Sequence, residues 1–284
     1  MSNEAWTIKK LLDWTTEYFN KNQIENPHLE AEILLARALN AKRIDLYINF
    51  EKEPGKEELA KFKGYVQRRR NNEPAAYITG IKSFMSLDFI VTNDVLIPRP
   101  ETELLVETAM DIAKNIDKPF ILDIGTGSGA IAVSLAKYIE KAIITATDTS
   151  EKALEVARKN AAIHQVENRI TFEHADLFPA KELKFDIIVS NPPYIRTEDI
   201  ASLQPEIKNF EPISALDGGT DGLNYYRSMI ANARCHLKNG GLILLEIGAG
   251  QDSEVANMLK NNDFSSVSVK KDLNGMDRVL VAKI

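Results

Sequence analysis

Apolar positions divide the chain into stretches with different periodicities. From residue 5 to about 70 they recur at helical spacing without strand-like alternation: Trp6, Ile8, Leu11, Leu12 and Trp14, then Leu29, Ile33, Leu34, Leu35 and Leu39. Pro27 at a helix start and Pro54-Gly55 as a break cut this stretch into several short helices, so residues 1–75 are expected to form a small helical domain. Then the pattern shortens. Tyr77-Ile78-Thr79-Gly80 and Ser86 to Val91 read as two short strands, a β-hairpin linker within residues 76–95. From Pro119 onward, β-prone runs alternate with helical patterns, which predicts a mainly parallel sheet. Strands are expected near Phe120–Ile124, Ala142–Thr147, Arg169–Glu173, Phe185–Val189, Leu242–Ile247, Ser266–Val269 and Arg278–Ala282. Only Asp272 to Asp277 lie clearly between the last two, too few residues for a crossover helix, so these strands should form a terminal antiparallel hairpin. The expected class is α/β, a seven-stranded sheet within residues 96–284 preceded by the helical domain.

The run Phe185–Val189 is continuously apolar, as in a buried strand, and ends abruptly at Asn191-Pro192-Pro193-Tyr194. Two prolines force an extended turn at the strand's carboxyl end, where open α/β sheets bind ligands. In such a turn the Asn191 carboxamide and the carbonyls of Pro192 and Pro193 can converge beside the Tyr194 ring. These acceptors and this flat surface suit a planar NH2 group on a carbonyl or a heteroaromatic ring. Asn-Pro alone would be read as a structural turn. The second proline and the tyrosine after a core strand favour chemistry.

Upstream, Leu96-Ile97-Pro98-Arg99-Pro100-Glu101-Thr102-Glu103 precedes a helical pattern. Capping by Thr102 or Glu101 explains the acids but not Pro-Arg-Pro, and a stiff charged segment joining two domains would make a natural pocket wall. On the other side of the site, Asp123-Ile124-Gly125-Thr126-Gly127-Ser128-Gly129-Ala130 runs from strand through glycine turn into helix. Gly125, Gly127 and Ala130 also satisfy a dinucleotide fingerprint, so the loop alone does not separate NAD from another adenosine cofactor. Asp148 and Asp176 follow the next two strands. Asp148 would accept from ribose hydroxyls, Asp176 would face the adenine amine, and Asp123 would reach the cofactor's other end. Such an acidic lining suits a sulfonium cofactor with an ammonium group better than a pyrophosphate.

Charge adds a constraint. The 284 residues carry 35 Lys and Arg against 41 Asp and Glu, a net charge of -6, so no overall positive field draws the protein to nucleic acid or anionic lipid. Residues 1–83 hold 14 basic and 12 acidic side chains, leaving -8 for the remainder. Their basic run Arg68-Arg69-Arg70 reads first as a solvated helix end and second as a contact for an RNA-bearing partner. Cys235 is the only cysteine, which excludes an internal disulfide, fits a reducing cytoplasm and, in its helical pattern, reads as a buried thiol. The four histidines, His28, His164, His174 and His236, lack ligand spacing, and no metal is assigned. Met1 to Lys10 is polar without a signal-peptide core, and no run is long enough to span a membrane.

Asp123 to Gly129 with Asn191 to Tyr194 resembles the class I S-adenosylmethionine-dependent methyltransferases (Rossmann-like) that act on planar amino or amide nitrogens. With Ile97 to Glu103, Glu211-Pro212, and Leu216 to Leu223 followed by Tyr226-Arg227, the resemblance narrows to the HemK-type release factor glutamine methyltransferases and covers nearly the whole chain. It implies methylation of the side-chain amide in the Gly-Gly-Gln loop of peptide chain release factors, with S-adenosylmethionine as cofactor. It also implies cofactor contacts from Asp123, Gly125, Thr126, Gly127, Ser128, Gly129, Asp148, Asp176, Leu177 and Asn191, with Leu177 where many relatives place an aromatic residue. Asn191, Pro192, Pro193 and Tyr194 would be the catalytic clamp and, with Arg99 and Glu101, would bind substrate. The expected protein is a cytoplasmic monomer without direct nucleic-acid or membrane binding, whose helical domain docks the release factor. Transfer to an adenine amine of DNA or RNA, and to a glutamine of a ribosomal protein, remain the alternatives.

Overall fold

A computed structural model describes residues 6–284; the first five residues of the polar amino terminus lie outside the described residues. The chain forms two compact units, Met1–Gly80 with Gln204–Phe210, and Ile81–Leu203 with Glu211–Ile284.

In the first unit, Thr7 caps α1 (Ile8–Lys21) by accepting from the Lys10 N–H at 3.3 Å, and Ile8, Leu11, Leu12 and Phe19 form its buried stripe. Trp6 and Trp14 lie outside that stripe, each 47% exposed, with Trp14 stacked on Tyr18 one turn later. Pro27 opens α2 (Pro27–Ala38), whose Leu34 and Leu35 meet Phe62 and Val66 of the amphipathic helix α4 (Lys56–Arg70). The short helix α3 (Arg43–Ile48) lies between them in sequence and buries Leu46.

The Arg68–Arg70 run is mostly committed. Arg68 pairs with Glu73, and the buried Arg69 bridges Glu30 and Glu206. Tyr77 to Gly80 is not the expected strand. Residues Ala75–Thr79 form a helical turn, α5, after Pro74, and the Thr79 hydroxyl donates back to the Ala75 carbonyl at 2.8 Å. Gly80 ends it in the left-handed region at φ 74, where glycine carries no Cβ penalty.

The second unit begins with the hairpin β1 (Ile81–Phe84) and β2 (Leu87–Ile90), whose Phe84 and Phe89 enter the main core. Asn160 secures it by accepting from the Ile90 N–H at 2.7 Å and donating to the Ile90 carbonyl at 2.9 Å. After a short turn at Pro100–Thr102 come α6 (Glu103–Ala113), β3 (Phe120–Ile124), α7 (Ala130–Tyr138), β4 (Ile143–Asp148), α8 (Glu151–Ile163), β5 (Ile170–His174) and β6 (Phe185–Ser190). The chain then contributes α9 (Pro205–Phe210) to the first unit and returns for α10 (Asn224–His236), β7 (Leu237–Glu246), α11 (Asp252–Asn261), β8 (Ser265–Lys271) and β9 (Asp277–Lys283).

The seven strands lie in the order β5-β4-β3-β6-β7-β9-β8, parallel from β5 to β7, with β9 antiparallel to both neighbours. Side chains divide between two apolar layers, with a register shift between Phe185 and Ile187. Ile121, Ile187 and Val189 pack with α6 and α7, whereas Leu122, Ile188 and Phe185 pack with α10 and α11. The order reverses between β3 and β6, which opens a crevice at their carboxyl ends. The expected buried thiol is corrected: Cys235 is exposed because α10 turns Tyr226, Met229, Ile230 and Ala233 inward and leaves position 235 on the opposite face. No helix among the described residues is long and apolar enough to cross a membrane.

Candidate functional site

After β3 the chain turns through Gly125, Gly127 and Gly129, all at positive φ (72, 55 and 80). A Cβ on Gly125 or Gly127 would meet nothing, so the loop offers bare backbone to the crevice. At Gly129 a Cβ would lie 3.0 Å from the Ala157 Cβ, so glycine there lets α7 and α8 approach closely. Asp148, ending β4, accepts from the Gly127 N–H at 2.8 Å and from the Ser150 N–H at 2.9 Å. These bonds tie the glycine loop to the next strand and leave lone pairs on both oxygens for a ligand.

The crevice is lined by Gly125, Gly127, Asp148, Asp176, Leu177, Asn191, Pro192 and Pro193, among others, and among the described residues no lysine or arginine borders it. Leu177 sits at φ 66, an unfavourable region for a branched side chain, and its carbonyl accepts from the Thr147 hydroxyl at 2.7 Å. Burial and the acids Asp176, Asp217 and Asp148 raise the pKa of Tyr225, an aromatic ring on the same wall. Bare backbone, the three carboxylates of Asp94, Asp148 and Asp176 and apolar walls fit a cationic nucleoside cofactor. They do not fit a pyrophosphate, which these carboxylates would repel.

Asp123 takes a different place from the expected one. It is wholly buried and does not line the crevice, because its Oδ2 accepts from the Thr126 hydroxyl at 2.6 Å and the Ala132 N–H at 3.2 Å. Thr126, Ser128 and Gly129 are likewise buried behind the loop, and the Ser128 carbonyl accepts from Asn160 at 2.8 Å. These residues shape the loop, while Gly125 and Gly127 face the opening.

Beyond β6, the Asn191 Nδ2 donates to the Thr102 hydroxyl oxygen at 3.0 Å. Its Oδ1 has no hydrogen-bond partner among the described residues and is not buried from solvent. Thr102 therefore meets the clamp instead of capping α6, where it makes no side-chain cap bond. Tyr194 lies on the far side of the turn with its pKa pushed up to about 12, chiefly by burial. Arg99 is held by Glu211, which also accepts from the Ile97 N–H at 3.2 Å, and neither Arg99 nor Glu101 lines the crevice.

The turn is braced from below. Gly218 donates to the Ile195 carbonyl at 2.8 Å, Ile195 donates to the Leu216 carbonyl at 3.0 Å, and Gln251 Nε2 donates to the Tyr194 carbonyl at 3.0 Å. Sequence reasoning missed Thr102 as a partner of Asn191, and it missed Glu246. Glu246 ends β7 fully buried, with no hydrogen-bond partner for either carboxylate oxygen among the described residues. The signal that marked Asp148, an acid ending a strand, was also present at Glu246.

Burial pushes Asp123 from 3.8 to about 7 and Glu246 from 4.5 to about 7. Between those ordinary values and pH 7 the folded state holds more protons than the unfolded one, so these groups make stability fall as pH rises. A denaturation midpoint followed from about pH 5 to pH 8 should show this decline, and Asp123→Asn with Glu246→Gln should flatten it.

Two family models match the chain: residues 10–80 match the PrmC N-terminal domain and residues 100–205 the Methyltransferase small domain. The release factor glutamine methyltransferase of Geobacter sulfurreducens is 45% identical over 99% of this chain and 98% of its own length. That of Thermodesulfovibrio yellowstonii is 42% identical over 96% of this chain and 97% of its own. Among solved structures, a T. Thermophilus 16S rRNA methyltransferase in complex with AdoMet and guanosine is similar in fold. Its TM-score is 0.51 at 19% identity, covering 72% of this chain and 49% of that one.

Proposed function

Since the chain belongs to the release factor glutamine methyltransferase family, we propose that its crevice and the turn Asn191–Tyr194 methylate the side-chain amide of the Gly-Gly-Gln glutamine of peptide chain release factors. The cofactor is S-adenosylmethionine, which supplies a methyl group already activated on a sulfonium. The free Asn191 Oδ1 at the edge of an acidic crevice carries the reading, because an acceptor held there can meet the N–H of an incoming amide.

Gly125 and Gly127 give the cofactor a backbone surface, Asp148 accepts from its ribose, and Asp176 and Leu177 border its base. Asp123, Thr126, Ser128 and Gly129 act at one remove by fixing the loop. A glutamine amide nitrogen is a poor nucleophile because its lone pair is delocalised into the carbonyl. Asn191 Oδ1 and the Pro192 carbonyl accept its two N–H hydrogens, which fixes its plane and stabilises positive charge developing on nitrogen as the bond to carbon forms. Alignment supplies much of the remaining acceleration. One nitrogen-bound proton departs after transfer, so no strong base is needed at the clamp. Tyr194 holds the turn from its far side, Arg99 and Glu101 meet the release factor outside the crevice, and the helical unit docks it.

The test is mass spectrometry of an unmodified release factor incubated with the protein and S-adenosylmethionine, beside a methylated-DNA assay. One methyl on the Gly-Gly-Gln glutamine supports the reading; label in DNA alone overturns it. Asp148→Asn should weaken S-adenosylhomocysteine about 10- to 100-fold by calorimetry, the scale of losing a charge-assisted hydrogen bond.

A further inference from the structure

We propose that Glu211 is a positioning residue for methyl transfer: its carboxylate clips together two segments that border the crevice, and through one of them it fixes where Asn191 stands. The proposal rests on Asn191 being the amide clamp. Two stretches far apart in sequence line the crevice with the clamp, Asp94 to Leu96 in one and Pro212, Ser214 and Ala215 in the other. Neither belongs to a strand, so no ladder of backbone hydrogen bonds holds them in register. The first continues into Ile97-Pro98-Arg99-Pro100, where the prolines have no N–H and only Ile97 and Arg99 can donate from the backbone. The second starts where the chain returns from α9, and Glu211 is its first residue.

The Glu211 side chain, 1% exposed, joins the two. Its Oε2 accepts from the buried Ile97 N–H at 3.2 Å, across 114 positions of sequence, and its Oε1 accepts from Arg99 Nη2 at 2.5 Å. The Arg99 side chain is 31% exposed, so water can solvate its charge, whereas a buried backbone N–H needs a protein acceptor. From Arg99 the chain of bonds runs on to the clamp. The Arg99 carbonyl accepts from the Thr102 N–H at 3.1 Å, which closes the turn Pro100–Thr102, and the Thr102 hydroxyl accepts from Asn191 Nδ2 at 3.0 Å. A shift of Ile97 to Thr102 therefore moves the hydroxyl that leaves Asn191 Oδ1 facing the substrate. The glycine loop and Asp148 are tied to each other and stay in place.

Reach and charge can be separated at this position. Glu211→Gln keeps the reach and an acceptor for Ile97 but gives up the ion pair. Glu211→Asp keeps the charge for Arg99 but is a methylene too short to hold both partners, and Glu211→Ala loses both. On the full-length protein, Glu211→Ala and Glu211→Asp should each lower kcat on the release factor by about 10- to 100-fold, the scale of a misplaced reacting group. S-adenosylhomocysteine binding by calorimetry should be little changed in either, and Glu211→Gln should retain most of the rate. Independently of activity, the Ile97 amide should exchange slowly by NMR in the wild type and in Glu211→Gln, and fast in Glu211→Ala and Glu211→Asp. In the same two variants the Asn191 side-chain NH2 signals, assigned by their loss in Asn191→Ala, should move to the positions of a free carboxamide. If Glu211→Ala does not fold, Glu211→Asp carries the comparison. Wild-type kcat or unmoved Asn191 signals in the variant that loses the Ile97 bond would overturn the proposal. So would a fast Glu211→Asp beside a slow Glu211→Gln, which would give the role to the ion pair alone, and so would equal losses in kcat and cofactor affinity. A wild-type protein that leaves the release factor unmethylated would overturn the functional reading, while the Asn191 signals would still decide whether Glu211 fixes that side chain.

Discussion

Asn191→Ala is expected to slow methylation of the release factor by about 100- to 1,000-fold, the usual cost of removing one preorganised polar group aimed at transition-state charge. Binding of S-adenosylhomocysteine should be nearly unchanged. The free Oδ1 belongs to the substrate side, whereas the loop from Gly125 to Gly129 and Asp148 are tied to one another without Asn191. The glutamine amide gains most from this acceptor when its nitrogen is becoming cationic, so the loss should fall on kcat. Single-turnover rates and calorimetry, measured on the same preparation, separate the two. Equal losses in rate and cofactor affinity would mean that Asn191 serves the cofactor pocket instead.

The second large effect should come from a residue without a functional group. Gly222 has φ 76, and a Cβ there would sit 2.4 Å from the Tyr194 carbonyl oxygen and 2.8 Å from Gln251 Nε2. Both belong to the brace beneath the clamp, and a backbone carbonyl cannot swing aside as a flexible side chain does. Gly222→Ala should therefore cost about 1–3 kcal/mol of stability and displace Tyr194, lowering kcat by at least about tenfold. A crystal structure of the variant would show the shift. A variant with wild-type rate and melting temperature would show that the brace yields without moving the turn. Gly218 is equally confined, with a Cβ only 2.8 Å from the Pro193 carbonyl oxygen. Thus Gly218 and Gly222 hold the segment that supports the clamp.

The sheet was legible because its strands are long, apolar and separated by helical patterns, and the terminal hairpin followed from a connection too short for a helix. Tyr77 to Gly80 misled because β-branched and aromatic residues over four positions also fit one helical turn, and the competing cue was Pro74 at a helix start. Asp148, Asp176 and Asn191 could be placed from their positions at strand ends. Thr102 could not be paired with Asn191 in this way: they lie 89 positions apart in sequence, and only the packing of α6 on β6 brings their elements together. Asp123 shows the converse: the right residue type at the right strand end can be taken up by local N–H and O–H donors before a ligand arrives.

The helical unit is assembled from two pieces of sequence, because Gln204–Phe210 returns to it between the clamp and Glu211. Cutting after Gly80 would not yield a module. The fragment would lack α9, and the buried Arg69 would lose Glu206, one of its two carboxylates. Exchange of this unit between relatives must therefore move two segments at once, and drift at position 69 is constrained by a residue 137 positions away.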